Sequence, residues 1–466
     1  MDLKTIFVRR AGKIFLLAVV VELLALILFI SFLNHGNGER IALIQSLPVF
    51  GPDSEGYYQA AKNFLDYGQF SLSPAPPLLP ISFRTPGYPS FVVLFWAIFG
   101  NLLAVTFVQI VLVAGTAVLV YRLACWCLNK RLAMVVASLT VLEPSAIYYS
   151  FLLLSDTLFT FLLVAGVYLF FGPIFSPVIS RMVKWWYLAS GLIIGLATLV
   201  RPIAQFLPFV FGLLILTFYL YTKQRRVLVS LILFLFGFGV VVMPWVIRNH
   251  YLFGGWAVSS VASYNLYHYN APMFYAYKEG VSFEEGRAFF QSKVRAEEQL
   301  MMMSLYKSQE LKTAALDYIQ TDWLGYSFFH LVKSAPFFLT DGLRDISHQL
   351  GLADTAMPNI SNFILHGDIL GLGRTIFNSP RDSLFLVGGA LFWLSVLAGM
   401  FLALGSVWFR GSNARGLIIF AVCLVFYFGF LTGPVANARF RLPAQPFMFL
   451  TAVYGFSALR LRFKSI

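Results

Sequence analysis

Residues 51–70 read GPDSEGYYQAAKNFLDYGQF and carry two carboxylates, Asp53 and Glu55, just beyond the first long apolar run. An aspartate there has two uses. As a helix N-cap its side-chain oxygen accepts a backbone N–H and contributes on the order of 1 kcal/mol. As a carboxylate beside an acceptor group it takes a proton during nucleophilic attack. Asparagine separates the two, because it caps a helix about as well but cannot act as a base. Glu55 favours the positive start of the helix dipole, or orients a substrate hydroxyl or amine. A third acid, Asp156, stands in FLLLSDTLFTFLL, inside the end of an apolar run. An ionisable group there marks either a functional site or an ion pair, with Arg201 or Arg439 as the cation. Glu143, before Pro144, has the same two readings, and Glu22, inside the first run, has no evident partner.

Arginines supply the complementary chemistry. Arg201, Arg248, Arg439 and Arg441 lie at the ends of apolar runs, in LVRP, VIRN and ARFRLP, and Arg84 lies in SFRTPGYP. Singly, each reads as an interfacial anchor whose stem covers apolar surface. Gathered at one point, their forked donors suit a phosphate. Aromatic candidates are Tyr57 and the stretch YNLYHYNAPMFYAY, with Tyr264, Tyr267 and His268, which reads as a lid or sugar platform or as an interfacial aromatic belt. The histidines (35, 250, 268, 330, 348 and 366) show no pair at metal-ligand spacing, so no metal or other cofactor is signalled. Cys125, Cys127 and Cys423 fall in apolar runs and read as small packing residues. Phosphate-loop, dinucleotide-binding and nucleophile-elbow patterns are missing, which leaves ATP-driven transport and serine hydrolysis without support.

The elements that must position these residues are membrane helices. The 466-residue chain is 59% hydrophobic and only 12% charged, against about 25% charged in soluble domains. A net charge of +13 would suggest nucleic acid in a soluble protein. Here the basic residues cluster between apolar runs, which is a topology signal and not a nucleic-acid one. The fold class is an all-α polytopic membrane protein. Spans are expected near 14–33, 102–124, 132–149, 151–171, 186–200, 203–221, 227–247, 383–408, 416–433 and 442–459, about ten helices, or about twelve if residues 324–340 and a partner also span. The first run is long enough to span and is followed by no A-x-A site, so it reads as a span and not as a cleaved signal peptide. Lys and Arg clusters in alternate connections put both termini in the cytoplasm of a multi-pass plasma or inner-membrane protein. Chemistry is then expected on the outer face, from outer loops and outer helix ends.

Three regions follow: an N-terminal transmembrane module, 1–247, with a first outer loop at 34–101; a large outer loop, 248–382; and C-terminal transmembrane helices, 383–466. Both outer loops are expected to carry interfacial helices. In the first, Tyr57, Ala60, Ala61, Phe64 and Leu65 keep helical spacing and Gly68 is a stop. In the second, Ser282 and Glu285 form a capping box. Residues 324–340 read as an interfacial or re-entrant helix.

Five fragments in order resemble the GT-C superfamily of lipid-sugar-dependent glycosyltransferases, in particular the protein O-mannosyltransferase and lipid A aminoarabinose transferase group. They are DSEGYYQAAKNFLDYG with the later FRTPGYP; PSAIYYSFLLLSDTLF; GLIIGLATLVRP; MPWVIRNHYLFG; and RFRLPAQP. The resemblance implies a polyprenyl-phosphate-sugar donor, a lipid, glycan or protein acceptor, and transfer at the outer face. It implies that Asp53 is catalytic, with Glu55 beside it and Asp156 at a second acidic position, and that Arg201, Arg248 and Arg439 meet the donor phosphate; Arg84 and Arg441 join this phosphate-binding set from the reading of the arginines themselves. In that scheme a single displacement inverts the anomeric centre, with Asp53 as base. The competing classes are a lipid or glycan transporter or flippase, for which internal repeats and paired broken helices are missing, and a surface-glycan polymerase or ligase.

Overall fold

The computed structural model describes the chain except residues 1–2, 35–50, 52, 176–182, 224, 296–298, 341, 344–345, 348–359, 369, 372, 375–379, 410–413 and 464–466. His35 and His348 therefore lie outside the described residues. Helices run in the order α1 (Leu3–Asn34), α2 (Ser54–Tyr67), α3 (Gly87–Phe99), α4 (Leu103–Ala124), α5 (Lys130–Leu142), α6 (Pro144–Phe151), α7 (Asp156–Phe175), α8 (Val183–Val200), α9 (Leu207–Thr222) and α10 (Arg225–Phe253). An outer layer follows, with α11 (Val261–Asn265), α12 (Ala271–Glu279), α13 (Phe283–Gln291), α14 (Leu305–Ile319) and α15 (Trp323–Lys333). The chain returns through α16 (Pro380–Phe409), α17 (Arg415–Thr432) and α18 (Gln445–Phe463). No named strand occurs among the described residues, only an isolated bridge between Ser71 and Pro80. The fold is all-α and polytopic, as the hydropathy demands.

Among the described residues seven helices are long and apolar enough to cross a membrane, and α5 with α6, bent by 49°, makes an eighth if the pair is one span. Pro144 sets that bend. It opens α6 after Glu143, whose backbone is extended, as the residue before a proline prefers. The stretch expected to span at 203–221 is a short 3₁₀ turn, Pro202–Phe206, followed by α9. Residues 87–99, expected as part of an outer loop, form an apolar helix, α3, packed against α4 and α8.

The amphipathic helix of the first outer loop is α2. Gly68 ends it in the left-handed conformation, with its N–H bonded to the Phe64 carbonyl. Tyr57, Ala60 and Ala61 are buried, whereas Phe64 and Leu65 stay exposed, so the inward face is narrower than the apolar spacing suggests. In the outer layer the capping box of Ser282 and Glu285 forms at the start of α13. Tyr267, Phe274, Phe290, Leu311 and Phe329 pack as a separate aromatic-rich core over the bundle. α15 has 11 residues, about 16 Å at 1.5 Å per residue, too short to span. His330 Nε2 bonds the Phe430 carbonyl at 2.8 Å, which ties α15 to the end of α17.

The segment FRTPGYP is fixed by one close approach. A Cβ at Gly87 would stand 2.6 Å from the Leu199 carbonyl carbon and oxygen. Only glycine lets the start of α3 lie against the end of α8, and this contact holds Arg84, three residues earlier, beside α2. Gly87→Ala is expected to cost about 1–3 kcal/mol by overpacking and to displace Arg84. Thermal unfolding of the detergent-purified variant, with the transfer assay described below, reads both effects.

Candidate active site

Asp53 occupies the N-cap position of α2 but makes no side-chain cap bond; the Ser54 hydroxyl instead accepts the Gly51 N–H at 2.7 Å. The carboxylate is thereby available to other partners, and two arginines take it. Arg84 Nη2 donates to Oδ1 at 2.8 Å, and Arg439 Nη1 donates to Oδ2 at 2.7 Å. Arg439 also reaches the second acid, with Nε at 3.1 Å and Nη2 at 3.0 Å from Asp156 Oδ2. Asp156 takes Arg201 Nη1 on its other oxygen. The result is one continuous chain, Arg84–Asp53–Arg439–Asp156–Arg201, drawn from α2, the FRTPGYP loop, α7, the end of α8 and the 3₁₀ turn Ala438–Arg441.

Exposure separates the roles of the two acids. The Asp156 side chain is fully buried, and the Asp53 side chain is 35% exposed. Asp156 is the ion-pair reading in full: it accepts from both cations named as its candidates and fixes two guanidinium groups. Asp53 is the acid with an open side. Burial opposes its ionised form, but Arg84 and Arg439 outweigh burial and hold its carboxyl well below the usual carboxylate range.

That open side faces a cavity of about 600 Å3. Its lining includes the polar side chains of Asp53, Tyr57, Arg84 and Arg201 and the apolar ones of Phe159, Ile203, Phe206, Phe428, Leu431 and Val435. Phe206 and Leu431 are each 47% exposed, so the cavity reaches the outer surface of the bundle beside them. Tyr57 is held by a 2.9 Å bond between its hydroxyl and that of Ser155, and Arg84 lies 4.7 Å from its ring centre. Gly56 leaves room for this: a Cβ there would come within 3.2 Å of Arg84 Nε.

The remaining candidates fall elsewhere. Glu55 is on the exposed face of α2. Arg248 donates to the Ile81 carbonyl at 2.6 Å and lies over Trp245, away from the cavity. Arg441 is fully buried, donates to the carbonyls of Phe337 and Thr340, and stacks 3.5 Å from the Trp393 ring centre. It sits two residues after Arg439 on a 3₁₀ turn, whose three-residue period sends the two side chains to different sides. Tyr264 packs on Phe83 and His268, and Tyr267 donates to the Phe290 carbonyl inside the outer core. Burial, with some help from Arg287, pushes His268 down to about 4, so the ring is neutral. Glu143 caps α6 through the Ala146 N–H, and Glu22 accepts from the Ser150 hydroxyl at 3.0 Å.

The cavity roof is made of residues that carry no charge or motif in the sequence. Ala262, Asn265, Leu266, Tyr269 and Asn270 line it. They fall on one face of a helical segment that passes from α11 into a π turn, Leu266–Asn270. Their three- and four-residue spacing is the available signal, masked by the neighbouring Tyr267, which faces the outer core, and Tyr264, which packs on Phe83. Among the described residues no group of three His, Cys, Asp or Glu side chains could hold a metal ion.

Residues 83–247, from Arg84 through Asp156 and Arg201, match the family model described as dolichyl-phosphate-mannose-protein mannosyltransferase. The archaeal oligosaccharyltransferase AglB from Archaeoglobus fulgidus, solved with an inhibitory peptide and a dolichol-phosphate, superposes with a TM-score of 0.51 at 14% identity, over 98% of this chain and 50% of that one. The chain shares the fold of that archaeal oligosaccharyltransferase. The oligosaccharyltransferase of the same organism in its apo form gives a TM-score of 0.50 at 16% identity, over 98% of this chain and 51% of the other. The chain thus spans about half the length of those archaeal proteins. ArnT from Cupriavidus metallidurans bound to undecaprenyl phosphate aligns with a TM-score of 0.38 at 13% identity, over 98% of this chain and 77% of that one. No curated protein matches the chain.

Proposed function

We propose that this protein transfers a sugar from a polyprenyl-phosphate donor to an acceptor hydroxyl or amine in the Asp53 cavity, with inversion at the anomeric carbon. One observation carries the reading: a partly exposed carboxylate and two guanidinium groups line the same cavity as a set of aliphatic and aromatic side chains, of which Phe206 and Leu431 are open on the surface of the bundle. A polyprenyl phosphate has the matching division, an anionic head and an apolar tail. The tail would pass between Phe206 and Leu431, and the phosphate would meet Arg84 and Arg201. The AglB relative was solved with a dolichol-phosphate, which has that same division.

The step is a single displacement. The acceptor oxygen or nitrogen forms a bond to the anomeric carbon as the carbon–oxygen bond to phosphate breaks. The electron pair of that bond leaves on the polyprenyl phosphate, where guanidinium groups stabilise the growing charge. The acceptor proton passes to Asp53 or, for an amine, is first held by it. Three guanidinium groups outnumber the two carboxylates of the chain, so an arriving phosphate competes with Asp53 for the arginines. As Arg84 turns to the phosphate, Asp53 loses part of what depresses its proton affinity. Donor binding thereby makes the base more basic when it is needed. The active face is the outer one in this reading, and both termini are cytoplasmic.

The test incubates purified protein with radiolabelled polyprenyl-phosphate sugars and candidate lipid, glycan and peptide acceptors, and resolves the products. Transfer of label with inverted stereochemistry supports the proposal. Movement of the lipid across vesicles with no product from any donor would instead favour a transporter. In the same assay Arg84→Gln is expected to lower transfer on the order of 100-fold, as for loss of one donor to a developing oxyanion. Arg84→Lys should recover part of it by restoring charge without the fork.

A further inference from the structure

The end of the bundle opposite Asp53 holds a second cavity, of about 970 Å3. Asp156 and Phe175 are the two ends of α7, a 20-residue helix. Phe175 therefore lies about 28 Å from Asp156, close to the thickness of a bilayer's hydrocarbon core. Phe175 lines this second cavity with Arg10, Arg122, Lys130 and Arg131. The four cations come from α1, the end of α4 and the start of α5, and no Asp or Glu is among the described residues lining the cavity. Arg10, Lys130 and Arg131 are exposed.

One wall is aromatic and rigid. Trp126 stacks between Tyr168, 5.1 Å away at 10°, and Phe175, 5.0 Å away at 9°. Ile174, next to Phe175 at the end of α7, is 55% exposed on the bundle surface. Excess like charge in a recess attracts an anion, and Trp and Tyr favour the headgroup level of a bilayer. The aromatic wall and the neighbouring exposed aliphatic surface favour an anion that brings acyl chains over a free one.

We propose that this cavity seats the phosphate headgroup of an anionic phospholipid from the leaflet opposite the Asp53 cavity, its chains running along α7. The probe is protein reconstituted in phosphatidylcholine vesicles that contain a minor fraction of phosphatidylglycerol brominated on its chains. The readout is the quenching component that disappears in Trp126→Phe. That component is expected to be several-fold larger with brominated phosphatidylglycerol than with brominated phosphatidylcholine at equal fraction. The combined variant Arg10→Gln, Lys130→Gln and Arg131→Gln should bring that several-fold preference down to about equal quenching by the two lipids. Lys130→Gln alone, at an exposed position, should weaken it measurably if the triple variant does not fold. Equal quenching by the two lipids in the wild-type protein, or an unchanged preference in the folded variants, would overturn the proposal. Displacement of the brominated lipid by millimolar inorganic phosphate would also overturn it, by identifying a soluble anion as the occupant.

Discussion

Asp53→Asn is expected to lower sugar transfer by about 10²–10⁴-fold, the range for losing a positioned general base, while the protein stays folded. Asparagine keeps one oxygen for Arg84 or Arg439 but cannot take a proton. It also spends nothing on helix capping, because the native carboxylate makes no cap bond. The sequence left capping and catalysis as alternatives for this residue, and the geometry removes capping from the comparison. The pH dependence has a definite sign. The folded carboxyl is held below its ordinary range, so its ionic stabilisation is fully present above the unfolded value of about 3.9. It is lost only as pH falls toward the depressed folded value. The stability difference between wild type and Asp53→Asn should therefore be flat above about pH 4 and shrink below it. Thermal unfolding in detergent across that range measures it.

Asp156→Ala is expected to act through stability first. Its carboxylate is fully buried and holds Arg201 and Arg439, themselves 14% and 8% exposed. Removing it leaves two buried guanidinium groups without their common partner, a change that costs about 3–5 kcal/mol in comparable pairs. Transfer should fall as well, because Arg439 is the link that orients Asp53. The two variants thus separate the acids: Asp53→Asn folded and slow, Asp156→Ala unstable and weak in donor binding. Thermal unfolding together with binding of a polyprenyl phosphate distinguishes them. A stable Asp156→Ala protein with unchanged donor affinity would show that the central ion-pair chain does not organise the site.

Much of this architecture is legible in hydropathy and helix-end chemistry. Long apolar runs report helices because a span must satisfy its own backbone bonds. Gly68 and the Ser282–Glu285 pair mark ends because they act within one turn. What could not be read is convergence. Arg201, Arg248, Arg439 and Arg441 share one local context, an arginine at a helix end beside Pro or Asn. Which of them meet depends on tertiary placement and, for Arg439 and Arg441, on the period of a short 3₁₀ turn. The first outer loop misled for a related reason: its proline-rich passage hid that residues 87–99 form an apolar helix. On the cavity roof, tyrosine content drew attention to Tyr264 and Tyr267. The register of the helix instead turns Asn265, Tyr269 and Asn270 to the cavity.

The central claim is that a lipid-linked phosphate reaches the arginines beside Asp53 from the side of the bundle. A structure determined with bound polyprenyl phosphate tests it most directly. The phosphate should lie within hydrogen-bonding distance of Arg84 or Arg201, with the chain emerging between Phe206 and Leu431 and the Arg84–Asp53 contact lengthened. A phosphate bound outside this cavity, with the Arg84–Asp53–Arg439 contacts unchanged, would contradict the account.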